Sequence, residues 1–181
     1  GGYGGPCGGT PFSDGAASLW IDGASESVSW KIAACKTLGL LARSLHPSSV
    51  PESDWQAVAS LGSRSIAQAC TQRSSVVVGS FAEEGGLHEL SSSCAGECNL
   101  AAVFRHLRIA RLFSLGGLQN EQNDSQCASC LAAVYGELVD TPLGGESTAK
   151  ENARNVAAWA LLDFIFFVGS GRLMHTCWTR M

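Results

Sequence analysis

The sequence predicts an all-α fold: an irregular bundle of about five helices over residues 24–181, with a glycine-rich extended arm over residues 1–23, braced by disulfides. Three observations carry that expectation. Apolar residues recur at three- and four-residue steps through most of the chain. Glycine and proline gather at its front and between the periodic stretches, where they favour turns over helix. Eight cysteines, an even number, are spread from Cys7 to Cys177, and all of them can pair.

The arm holds Pro6, Pro11 and Cys7. Within it, the run GGPCGGTPFSDG, Gly4 to Gly15, resembles the opening of a jacalin-type lectin repeat, in which a glycine-rich strand precedes Phe-Ser-Asp. That resemblance implies short alternating strands, a glycine-aspartate sugar loop near the end and a secreted, carbohydrate-binding module. It covers about a dozen residues, and the C-terminus has no counterpart of the sugar loop.

The first helix is expected over Ser25–Leu45, where Val28, Ile32, Cys35, Leu38 and Leu41 share a face. Gly39 weakens its middle, and His46-Pro47 stops it. Ser53-Asp54-Trp55-Gln56 reads as a capping box opening a second helix with Trp55, Val58, Leu61, Ile66 and Cys70 inside. Val76-Val77-Val78 fits a strand or a continuation of that helix to Glu84, and Gly85-Gly86 ends either. His88–Cys98 reads as a serine-rich loop, followed by a helix Leu100–Leu115 capped by Asn99. After a polar loop, Asp124 or Ser125 caps a helix Gln126–Val139. The most apolar stretch is Glu146–Gly169, with Ser147 among its capping candidates and Gly169 and Gly171 suited to its end. The 17 residues 155–171, between Arg154 and Arg172, are at the short limit for a membrane span, and Asp163 sits near their middle. A core helix is the expectation, with membrane contact through 155–171 as the alternative.

Composition narrows the function. Hydrophobic residues make up 45% and charged residues 15%, so much of the surface is expected to lie against partners or to be held by cross-links. A net charge of −4 offers no basic footprint for nucleic acid. The cysteines are disulfide candidates: Cys7, Cys35, Cys70, Cys94, Cys98, Cys127, Cys130 and Cys177. They imply an oxidising compartment, an organelle lumen, an intermembrane space or the exterior, and the chain reads as processed at its N-terminus. Cys94/Cys98 and Cys127/Cys130 also have spacings that a zinc site or a thiol-redox motif could use, a second alternative.

No nucleophile elbow, metalloprotease helix, phosphate loop or dinucleotide fingerprint is present. The reading is therefore a non-catalytic accessory or scaffold subunit of a multi-subunit assembly, of which an organelle membrane complex, photosynthetic or respiratory, is one setting. No enzyme activity, cofactor or metal is expected; other protein subunits are the expected partners. Arg105, Arg108 and Arg111, every third residue, and Trp178 are the candidate partner surface.

Overall fold

The computed structural model describes residues 15–78, 84–113 and 123–179; for 15–20, 78, 84–85 and 174–179 the backbone alone is described. These residues form six α-helices: α1 (Gly15–Thr37), α2 (Glu52–Val78), α3 (Glu84–Ala95), α4 (Glu97–His106), α5 (Asp124–Val139) and α6 (Thr148–Thr179). A 3₁₀ turn, Ile109–Leu112, follows α4, and no strand occurs among the described residues. The all-α class is the observed one, and the strands implied by the lectin resemblance are absent from this part. Most of that resemblance, with Cys7, lies outside the described residues.

Helix α5 is the centre of the bundle. Every residue from Cys130 to Leu138 is buried, with α2 on one side, α4 on another, and α6 beyond. Helix α6 packs chiefly on α1 and α3, and one continuous core joins all six helices. Where α2 crosses α5, the two backbones touch. A Cβ on Gly62 would lie 1.7 Å from the Ala132 carbonyl oxygen, and one on Gly136 would lie 1.9 Å from the Val58 carbonyl oxygen. Glycine inside a helix costs about 1 kcal/mol relative to alanine. Here its absent side chain is what lets the helices meet.

Several boundaries differ from the sequence expectation, each for a local reason. Helix α1 begins at Gly15, inside the stretch read as arm, and ends at Thr37, not Leu45. Its end is a Schellman turn: Gly39, at φ +74°, donates to the Lys36 carbonyl (3.0 Å) and Leu40 to the Cys35 carbonyl (3.0 Å). Gly39 is thus a terminator rather than a mid-helix weakness. Helix α2 starts at Glu52, with the Pro51 carbonyl accepting the first amides, from Asp54 (3.0 Å) and Trp55 (3.2 Å), in place of a box on Ser53. It runs through Val78, so the valine triplet is helix, and Val76 and Val77 face outward.

The serine-rich segment read as a loop is helix α3. Leu90 and Cys94, four residues apart, point into the core. Its serines, poor helix formers alone, bond outward: Ser93 Oγ to the Gly169 carbonyl (2.8 Å), and Ser91 Oγ with Thr71 Oγ1 (2.9 Å). Gly169 does not end α6. A Cβ there would meet Cys94 Cα at 2.5 Å, so glycine admits α3 while α6 continues to Thr179. Asn99, expected as a cap, is buried within α4 and donates to the Cys94 (2.8 Å) and Ile165 (2.9 Å) carbonyls, stitching three helices. Asn123, one residue before the expected caps, opens α5 with a capping box to Gln126. At α6, Ser147 Oγ accepts from the Lys150 amide (3.3 Å), as expected of it.

Candidate functional site

The expected single helix Leu100–Leu115 is broken, and the break builds the site. Successive helical residues are about 100° apart, so Leu107 and Ile109 on one helix would point some 200° from each other. Both are buried, as is Phe113. The chain satisfies all three by ending α4 at His106 and turning through Arg108, at φ 49°, the only non-glycine residue with positive φ among those described. The freed Leu107 carbonyl accepts from Ser29 Oγ on α1 at 2.7 Å, so the helix end is satisfied by a neighbour.

Around this corner lies a cavity of about 460 Å³. Arg105, His106, Arg108 and Arg111 line it from the α4 side; Asp22, Ser25, Glu26 and Ser29 line it from α1. The structure therefore brings the three predicted arginines to one place although they do not share a helix. Arg105 pairs with Asp124 at the start of α5 (2.7 Å), while Arg108 and Arg111 are exposed on the rim. The α1 residues were missed by sequence reasoning. A signal existed: Asp22, Ser25, Glu26 and Ser29 recur at the three- and four-residue spacing of one helix face.

His106 is half-buried. Its ring sits edge-on to Phe164 (6.4 Å between centroids), and Nε2 has no hydrogen-bond partner among the described residues. Burial, helped by the charge of Arg172, holds its pKa below the usual 6.5. The folded state therefore resists a proton that the unfolded chain accepts. Stability is unaffected above pH 6.5 and falls as pH drops below it. The melting temperature is expected to fall between about pH 7 and pH 5, and His106→Gln to reduce that fall; equal falls in both proteins would refute the assignment.

The eight cysteines do not behave as one set. Cys35, Cys70, Cys94, Cys127 and Cys130 are buried, and among the described residues no two of them are bridged to each other. This corrects the expectation that these five are disulfide-bonded. Cys98, exposed in α4, is disulfide-bonded. Cys177 and Trp178 fall in the last turn of α6, with side chains outside the described residues. Burial pushes the Cys35 and Cys130 thiols up to about 11 and raises Cys127 as well. A reactive C-x-x-C needs the opposite shift, so Cys127 and Cys130 act as small hydrophobes in the α5 core. No three histidine, cysteine or acidic side chains among the described residues come together as metal ligands would, so the four cysteines with zinc-like spacing are not gathered.

Helix α6 is long and apolar enough to cross a membrane. Its outward side carries Asn155 and Asp163; the latter pairs with Arg73, whose guanidinium also lies 5.6 Å from the centre of the Trp159 ring. A groove of about 340 Å³ beside Trp159 separates α6 from α2 and α5.

No protein-family model, curated protein or solved structure matches the chain.

Proposed function

We propose that the chain is a non-catalytic accessory or scaffold subunit, which receives a carboxylate-bearing segment of a protein partner at the α4 corner. The observation that carries this reading is the cavity where Arg105, Arg108 and Arg111 meet, with two of the guanidinium groups free of any ion pair among the described residues. Arginine forks suit carboxylates, and a bidentate pair fixes orientation as well as register. Asp22 and Glu26 on the opposite wall give the site both signs of charge, which suits a polypeptide better than a nucleic acid. Exposed Trp30 and Trp159 add aromatic anchors of the kind enriched at interfaces.

The disulfide at Cys98 favours an oxidising compartment, such as an organelle lumen, an intermembrane space or the exterior. The exposed Asn155 and the Asp163–Arg73 pair favour protein or water over lipid against residues 155–171, because polar groups facing hydrocarbon are expensive.

Wild-type protein in native extracts is expected to migrate as part of a complex well above the 18.9 kDa of the chain. The double variant Arg108→Glu/Arg111→Glu should migrate as the monomer with unchanged helical circular dichroism. Arg64→Glu, an exposed charge on α2 far along the sequence, is the control and should stay in the complex. A wild-type chain that migrates as a monomer, or a double variant still in the complex, would overturn the reading.

A further inference from the structure

The groove of about 340 Å³ between α2, α5 and α6 has an apolar floor and a polar rim. Leu138, Ala158 and Leu162, all buried, form the floor, and the exposed Gln72, Thr141 and Asn155 form the rim. Among the described residues no charged side chain lines it. Tyr135, from the middle of α5, lines it too. It is 6% exposed, yet its hydroxyl has no hydrogen-bond partner among the described residues. A tyrosine hydroxyl buried to that degree ordinarily has one. Burial raises the phenol above its usual value, so the hydroxyl keeps its proton and is a donor at neutral pH. Trp159, 65% exposed, supplies an aromatic wall. The Arg73 guanidinium, 5.6 Å from the centre of its ring, steadies the indole, and pairing with Asp163 neutralises that charge.

We propose that this groove binds a small uncharged aromatic compound carrying one carbonyl or hydroxyl oxygen, with its ring against Trp159 and its oxygen accepting from Tyr135. Each part of that chemistry answers a feature of the lining. The volume is near the lower limit of small-molecule sites, about 300–1,000 Å³, which suits one or two rings. A lining without charge disfavours an ion, because a charge taken out of water needs a partner there. The flat indole and the apolar floor favour an aromatic body, since stacked rings gain more than their buried area alone. The Tyr135 hydroxyl, already desolvated by the fold, gains a bond to an acceptor without first giving one up. An oxygen on the ligand is therefore what separates its binding from that of a plain hydrocarbon. The groove shares no lining residue with the cavity at the α4 corner, so this site stands whether or not a protein partner docks there.

The test is equilibrium dialysis of the full chain against three probes: naphthol, naphthalene, which lacks the oxygen, and naphthoate, which adds a charge. Saturable binding of naphthol is expected, with naphthalene and naphthoate each weaker. Tyr135→Phe should weaken naphthol about fivefold and leave naphthalene unchanged. Its melting temperature should equal that of wild type, because the hydroxyl has no protein bond to lose. Trp159→Ala should weaken naphthol and naphthalene alike, by about tenfold, with unchanged circular dichroism. Absence of saturable naphthol binding, naphthoate binding more tightly than naphthol, or full naphthol affinity in Tyr135→Phe or Trp159→Ala would each overturn the assignment. So would a wild-type chain that binds none of the probes and self-associates in a way that Trp159→Ala abolishes, which would give the groove to a second copy.

Discussion

Placing one methyl group on Gly136 is expected to destabilise the protein by about 3 kcal/mol, among the larger effects of a single substitution. The Cβ of Gly136→Ala would lie 1.9 Å from the Val58 carbonyl oxygen and 2.8 Å from the Gly62 amide nitrogen. Both obstacles are backbone of α2, so no rotamer change relieves them. The helices must move apart along their closest crossing, loosening Val58, Ala59 and Ala133, which are packed together there. Better helix propensity would return only about 1 kcal/mol. Gly62→Ala meets the same crossing from the other side, 1.7 Å from the Ala132 oxygen. The double variant is expected to lose less than the sum, because helices already separated by one methyl accommodate the second. Urea unfolding of the three variants measures this. A Gly136→Ala midpoint equal to wild type would show that the helices are not in contact.

Glu137→Ala carries the second large effect, about 3 kcal/mol. The Glu137 carboxylate is buried in α5 and accepts from the Arg43 amide (3.1 Å), the Ser44 amide (3.0 Å), Ser44 Oγ (3.1 Å) and Arg43 Nε (2.9 Å). It thereby replaces water for the connector between α1 and α2, whose amides would otherwise be buried unpaired. Arg43→Ala should cost far less, about 1 kcal/mol. The Arg43 side chain is 39% exposed, and removing it leaves both backbone amides bonded to Glu137. The ordering decides the mechanism. If Arg43→Ala proved as damaging as Glu137→Ala in the same urea experiment, the ion pair rather than the capped backbone would be the stabilising element. The adjacent Arg154, which bonds the Glu137 carbonyl and Glu146 (2.9 Å), holds the start of α6 against the same end of α5.

Helix α5 lies at the centre of the bundle without a local signature of that place. The most apolar stretch, α6, was the natural candidate, yet its outward side carries Asn155, Trp159 and Asp163. Helix α5 contains Tyr135, Gly136 and Glu137, and is buried through all three. A glycine and a carboxylate lower any local measure of hydrophobicity. Their roles, a backbone crossing and a cap on a distant connector, exist only once α2 and the α1–α2 turn are in place.

Consecutive residues by themselves determined that the described residues are helical and that Ser147 caps the apolar helix, because periodicity and capping act within one turn. Tertiary structure decided the rest. It broke α4 at Arg108 so that Leu107 and Ile109 could both be buried, and made a helix of α3 by giving its serines partners on α2 and α6. Each of these depends on a surface supplied from far along the sequence, and a short-range pattern contains no record of which surface that will be.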